Sequence, residues 1–206
     1  MEQIFDADEV RGVLHTPEHP TGDGVALTHG AGSNVNAALL VSLSRAFCEA
    51  GLTVLRYDLP FRVLRPNGPP FPAAAARDRQ GVVLAVEALR RRVKGRVFAG
   101  GHSYGGRQTA MIAAERPGLA DGLLLLSYPL HPPKKPDQLR TAFFPEWRTP
   151  ALFVHGARDP FGTLEELRAA MQLIPARVEL LAVEGAGHDL RGGVGMGGEI
   201  LARMLF

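Results

Sequence analysis

Val97-Phe98-Ala99-Gly100-Gly101-His102-Ser103-Tyr104-Gly105-Gly106-Arg107 decides how the rest of the chain is read. An apolar run breaks into glycines on both sides of one serine. Ala110, Met111, Ala113 and Ala114 then recur at helix-compatible spacing until Pro117 and Gly118. The pattern predicts a strand, a tight turn and a helix, with Ser103 at the apex. Gly101-x-Ser103-x-Gly105 has the form of a nucleophile elbow, a turn so sharp that a Cβ two positions to either side has no room. Such a turn lifts a hydroxyl clear of a sheet. A glycine-rich, phosphate-cradling turn is the competing reading, and neither G-x-x-x-x-G-K-[ST] nor G-x-G-x-x-G occurs there.

Outward from this stretch, apolar strands alternate with helices. Val25–Thr28 is a short strand that runs into the small polar loop His29-Gly30-Ala31-Gly32-Ser33-Asn34, followed by a helix from about 36 to 50. Leu52–Tyr57 is the next strand, then a proline-rich loop from Asp58 to about Pro72. Val82, Val83, Ala85, Val86 and Leu89 mark a helix ending in Arg90-Arg91-Arg92, where positive charge suits the helix dipole better than it suggests a nucleic-acid patch. Gly122–Ser127, Ala151–His155 and Val178–Val183 read as further strands, Leu164–Ile174 and Glu199–Phe206 as helices, and Ile4–Leu14 as an edge strand or hairpin. Near-continuous apolar strands between helices imply an α/β fold, a mostly parallel sheet covered on both faces, in one domain. Catalytic groups of such sheets gather at the carboxyl ends of the strands.

Composition narrows the class. The 206 residues are 46% hydrophobic and 21% charged with a net charge of +2, enough chain for one substantial core. The basic residues are scattered, which disfavours nucleic acid, and no apolar run reaches membrane-spanning length. The single Cys48 allows no intrachain disulfide and sits among Leu39, Leu40, Leu43 and Phe47 as a structural thiol. The start Met1–Asp6 lacks the marks of a secretory signal, so a cytoplasmic setting is expected. His15 and His19 flank Pro17 in a turn and read as solvated rather than as metal ligands. No metal or organic cofactor is implied.

A serine hydroxyl needs a base to take its proton and a third group to orient that base. Asp159 follows the Ala151–His155 strand and His188 follows the Val178–Val183 strand, giving the chain order Ser103, Asp159, His188. His102 is expected to point away along the turn, while His131 precedes the acid in chain order and His155 ends a strand. Glu184 and Asp189 compete for the acid role. An oxyanion needs preorganised donors, and the backbone N–H groups of Tyr104 and Ala31 are the candidates, with Gly32 as substitute. The Ala31 loop also admits a phosphate-cradling reading.

Taken together, Thr28-His29-Gly30-Ala31-Gly32, Leu55–Phe61, Ala99–Arg107, Tyr128-Pro129-Leu130-His131-Pro132-Pro133 and His155–Gly162 resemble an α/β-hydrolase. More narrowly they resemble the small, lidless dienelactone-hydrolase-like subfamily, which also contains a testis-expressed protein and a subunit of an animal chromatin-modifying complex. The resemblance implies triad roles for Ser103, Asp159 and His188. It departs at His102 and Tyr104, where the subfamily often has arginine and methionine, and in having serine where dienelactone hydrolases proper use cysteine.

The expected function is a serine hydrolase cleaving a small ester or thioester, with a catalytically silent interaction module as the alternative. Only about twenty residues, rich in proline, separate Ser127 from Ala151, so an open site is expected. Tyr128 and His131, with Phe143, Phe144 and Trp147, either line its mouth as substrate-binding residues or pack in the core. Arg56, Arg62 and Arg107 either select an acidic acyl group or, for Arg107, form a structural ion pair with Asp58.

Overall fold

The computed structural model describes residues 1–191 and 195–204. Eight strands form one sheet: β1 (Glu2–Ala7), β2 (Val10–His15), β3 (Gly24–Thr28), β4 (Thr53–Tyr57), β5 (Val97–His102), β6 (Gly122–Leu126), β7 (Ala151–Gly156) and β8 (Val178–Val183). Their order is β1-β2-β4-β3-β5-β6-β7-β8. The β1–β2 hairpin and the β2–β4 pair are antiparallel, and every later pair is parallel. The mostly parallel sheet is the one anticipated from the strand and helix pattern, and its arrangement is the α/β-hydrolase fold that the resemblance implies.

The inner strands are apolar along their whole length because both faces are covered. β3, β6 and β7 have no exposed residue, which accounts for continuous runs such as Leu123 to Leu126. One face carries α1 (Ala38–Glu49) and α6 (Gly197–Met204). There Leu40, Leu43 and Phe47 meet Ile200 and Met204 over Val25, Leu27, Leu124 and Val154. The other face carries α3 (Ala75–Arg90), α4 (Tyr104–Glu115) and α5 (Leu164–Met171), covering Ala26, Leu55, Ala99, Leu125 and Phe153. Residues one apart on a strand thus feed opposite cores, as the pleat requires.

Several boundaries differ from the sequence reading. A short α2 (Pro60–Leu64) and a 3₁₀ turn (Pro72–Ala74) stand in the expected proline-rich loop, and each has proline in its first turn, where the missing N–H costs nothing. α3 starts at Ala75, seven residues before its first large aliphatic. The last helix ends at Met204 among the described residues, and the expected Leu205 and Phe206 lie outside them. His15 is a correction: it is buried at the end of β2, where Nε2 accepts from Arg56 Nε at 2.9 Å. Its pairing partner in β4 is Val54, so the residue belongs to the sheet and not to the following turn. His19 is exposed as expected.

Cys48 is half-buried against the α1 face, and burial raises its thiol pKa, which suits an inert side chain. No described helix is long and apolar enough to cross a membrane, and no group of three or more metal-ligating side chains occurs among the described residues. Between β6 and β7 only a 3₁₀ turn (Phe144–Glu146) interrupts the loop, so no helical lid stands over the carboxyl ends of the strands.

Candidate active site

The turn after β5 is as tight as its glycines suggest. Ser103 has φ 50° and ψ −115°, a left-handed conformation that a non-glycine residue adopts only when its surroundings enforce it. Ser103 N–H donates to Leu126 O at 2.8 Å and Ser103 O accepts from Arg107 N–H at 2.9 Å, so strand and helix bonds continue through the apex. A Cβ on Gly101 would lie 2.5 Å from Thr28 O, and one on Gly105 would lie 2.5 Å from His29 O. Both glycines are therefore demanded by β3 passing close on one side.

Strands β7 and β8 deliver the partners. His188, in the loop after β8, places Nε2 2.7 Å from Ser103 Oγ. Its Nδ1 lies 2.8 Å and 3.0 Å from the two carboxylate oxygens of Asp159, in the loop after β7. Asp159 is buried, and burial pushes its pKa up. The hydrogen bond and charge of His188 and the Phe161 N–H at 2.9 Å outweigh that, so the carboxyl lies below its usual range. Phe161 also stacks on the His188 ring with centroids 4.1 Å apart, which fixes the plane of the imidazole.

The rival candidates are placed elsewhere. Asp189 is exposed and pairs with Arg191 at 2.7 Å, and Glu184 is exposed. His155 is buried behind Asp159, with Nε2 2.8 Å from Gly162 O and 3.7 Å from Asp159 Oδ2, and burial lowers its pKa. It braces the acid's loop. His102, expected to point away, instead turns under the loop of His188 and contacts its carbonyl through Nε2 at 2.7 Å. Burial lowers the pKa of His102 too, so it serves this contact as a neutral Nε2–H donor.

The loop after β3 faces the same turn. Among the described residues neither the Tyr104 nor the Ala31 N–H has an acceptor. The orientation of Ala31 is set from behind by Arg62, a residue the sequence reading held open for substrate. Arg62 is buried on α2. Its Nη2 donates to Ala31 O at 2.8 Å and its Nε to Ser33 O at 2.7 Å, with further bonds to Arg65 O and Gly68 O. Arg62→Lys keeps the charge but cannot span these carbonyls. With the Ala31 N–H in the oxyanion role expected of it from sequence, the substitution should lower kcat by about 10²-fold with little change in KM. Steady-state kinetics on one ester checks this.

Tyr104 is held by a second buried group that sequence did not flag. The Asp78 carboxylate on α3 accepts from Tyr104 Oη at 2.7 Å and from Phe61 N–H at 3.0 Å. Phe61 stands edge-on between the His29 and Tyr104 rings, at 5.6 Å and 5.7 Å, so the two sides of the turn are packed through one side chain. Burial raises the Asp78 pKa, more than its hydrogen bonds lower it. Folded Asp78 therefore retains its proton above the pH at which the unfolded chain releases it, and stability falls as pH rises from the ordinary carboxyl pKa through the raised one. Asp78→Asn removes that slope. Its melting temperature should gain on the wild type as pH rises to 7 and lose the gain near pH 4, as thermal melts across pH would show.

Tyr128 and His131 as substrate-binding residues are corrected, and packing decides the alternatives left open for Phe144, Trp147, Arg56 and Arg107. Tyr128 is buried against Phe144 and Phe153, with its hydroxyl donating to Arg140 O at 2.6 Å, and does not line a mouth through its ring. His131 is buried, with Nδ1 2.8 Å from Pro132 O and Nε2 3.4 Å from Glu166, and its own N–H bonds Phe161 O. It supports the acid loop from behind. Phe144 and Trp147 are fully buried, because a proline-rich loop without a helix closes the end of the core with its aromatics. Arg56 is consumed by His15, Val35 O, Asn36 and Glu2. The Arg107–Asp58 pair does not form: Asp58 accepts from Val35 N–H at 2.7 Å and lies 3.3 Å from His29 Nε2.

Comparison with known proteins agrees with this fold. A family model described as "Alpha/beta hydrolase domain" matches residues 22–199. Among solved structures, Est1E from Butyrivibrio proteoclasticus with ferulic acid bound has a TM-score of 0.78 at 16% identity, covering 98% of each chain. A dienelactone hydrolase from Anabaena variabilis has a TM-score of 0.75 at 21% identity, covering 98% of this chain and 95% of its own. A serine hydrolase without lid from Xanthomonas campestris has a TM-score of 0.75 at 16% identity, with the same coverage. At these identities the likeness is one of fold.

Proposed function

Because the chain belongs to the alpha/beta hydrolase domain family, we propose that it is a serine hydrolase cleaving a small carboxylic ester or thioester through an acyl-enzyme. The observation that carries this is the continuous line from Ser103 Oγ through both nitrogens of His188 to the buried Asp159 carboxylate. Ser103 attacks the carbonyl carbon while His188 Nε2 takes its proton. Asp159 holds the Nδ1 proton in place and stabilises the imidazolium that forms. The Tyr104 and Ala31 amides receive the charge on the carbonyl oxygen. His188 then returns the proton to the leaving alcohol or thiol, and water repeats the sequence on the acyl-serine.

Roles follow from position. Ser103, as the apex of a nucleophile elbow, is exposed to substrate by strain that its glycines and β3 maintain. Arg62 and Asp78 are positioning residues, one behind each oxyanion donor. Without a lid the acyl chain is bounded by surface loops, which favours small substrates or ones presented at a surface. Est1E, the neighbour solved with ferulic acid, is a protein of this fold with an aromatic acid bound. One domain, no cofactor and a small-molecule substrate complete the reading.

The test is a series of p-nitrophenyl esters of increasing chain length, together with an acyl thioester, followed in the first turnover. A burst of p-nitrophenol stoichiometric with protein is expected on the short esters. Absence of turnover on every member would favour the silent interaction module.

A further inference from the structure

A cleft of about 330 Å³ lies against the catalytic turn on the α1 face of the sheet. One side is the start of α1, from Ala37 to Leu40. The others are Ser33, two residues beyond Ala31, the His102 ring, and Asp189 and Arg191 from the loop that carries His188. Short distances tie this cleft to Ser103. The His102 and His188 ring centroids are 5.2 Å apart, and His102 Nε2 is 2.7 Å from the His188 carbonyl. A Cβ on Gly30 would lie 2.9 Å from His102 Nδ1 and 3.5 Å from Ser103 Cβ. The wall of the cleft and the nucleophile therefore meet at one point of the Ala31 loop.

The lining suits a neutral, apolar guest. The α1 side contributes only alanine and leucine side chains, with Leu40 fully buried beneath. The two charges at the edge are spent on each other, since Arg191 Nε lies 2.7 Å from Asp189 Oδ2. His102 is kept neutral by burial and offers a ring rather than a charge.

The reaction assigns this side of the serine to the leaving group. The atom that departs must be within reach of His188 Nε2, because that nitrogen returns the proton taken from Ser103. When the bond from the carbonyl carbon to that oxygen or sulfur breaks, its electron pair stays on the departing atom and the His188 proton joins it. Whatever the departing atom carries thus lies on the His188 side, where Asp189 and Arg191 bound the cleft. We propose that this cleft binds the alcohol or thiol half of the substrate, and that the substrates are esters or thioesters whose leaving group has an apolar aryl or alkyl body. The inference rests on the hydrolase reading of Ser103 and names the half of the substrate that is recognised. Ala37 and Ala38 set how large a leaving group enters.

Matched esters separate the two halves. 2-(1-Naphthyl)ethyl acetate and ethyl acetate release alcohols of similar acidity and differ in bulk on the alcohol side, whereas ethyl 3-(1-naphthyl)propanoate carries the same ring on the acyl side. The first should exceed ethyl acetate in kcat/KM by at least about ten-fold, and the acyl-side ester should not. Ala37→Trp, which fills the cleft, should bring the ratio of the two acetates close to one, and Ala38→Trp, at an exposed position, should lower it independently. Fluorescence titration with 2-(1-naphthyl)ethanol reads the cleft without chemistry: saturable binding is expected in the wild type and its loss in Ala37→Trp. Turnover with equal rates on the two acetates, an advantage that survives both substitutions, or one that follows the ring to the acyl side overturns the inference and leaves the hydrolase reading standing. The wild-type comparison decides this even if a variant fails to fold. Binding of the alcohol that Ala37→Trp abolishes, with no ester turned over, supports the cleft and overturns the hydrolase reading instead. Neither binding nor turnover overturns both.

Discussion

Ser103→Ala is expected to lower kcat on short esters by about 10⁶-fold while leaving the melting temperature close to that of the wild type. The size follows from what is removed. The proposed acyl intermediate forms on this hydroxyl, 2.7 Å from His188 Nε2, and without it the remaining groups offer only donors to a carbonyl attacked by water. The strained φ of 50° at this position is enforced by the glycines on both sides, and alanine carries the same backbone cost as serine, so the turn should persist. Stopped-flow and steady-state assays on p-nitrophenyl acetate give the number. A loss below about ten-fold would mean that another nucleophile carries the reaction.

Asp159→Asn should cost about 10⁴-fold in kcat with KM nearly unchanged, because the amide presents an N–H to His188 Nδ1 and selects the wrong tautomer of the base. His155 cannot rescue the network: its Nε2 is bonded to Gly162 O, and it is fully buried behind the acid. The same substitution alters acid stability, with a sign fixed by the depressed carboxyl. Folded Asp159 ionises below the unfolded value of 3.8, so it contributes stability above that pH, and the contribution is lost as pH falls through the folded pKa. The asparagine variant should therefore show a flatter decline in melting temperature below pH 4 than the wild type. An unchanged kcat, or an identical acid limb, would break the assignment of Asp159 as the orienting acid.

The parts of this site that can be read from sequence share a physical property: they sit where a strand ends and a small-residue turn begins. Ser103, the Ala31 loop, Asp159 and His188 each follow an apolar run of strand length, and parallel strands bring such ends to one edge whatever the loops do. Arg62 could not be found that way. It works by donating to the carbonyls of Ala31 and Ser33, and backbone carbonyls leave no mark in a sequence. Asp78 was hidden for a related reason, since a lone acid in the first turn of a helix usually reads as a dipole partner. Here it is buried against Tyr104.

The aromatics of the β6–β7 loop show the opposite difficulty. Tyr128, Phe144 and Trp147 fit a substrate mouth as well as a core, and only tertiary packing decides. They turn inward because Phe153 and the end of the sheet need covering and no lid helix is there to do it. His102 was misjudged because a residue beside a nucleophile normally follows the strand direction. Here the chain after β8 passes directly over it and offers the His188 carbonyl.

The most direct test of the central claim is reaction of the folded protein with a fluorophosphonate, followed by mass mapping of the adduct. The account predicts a single phosphonyl adduct on Ser103, formed within minutes at pH 7.5 and absent in His188→Ala. An unmodified protein after prolonged exposure, or an adduct on a different serine, would contradict it.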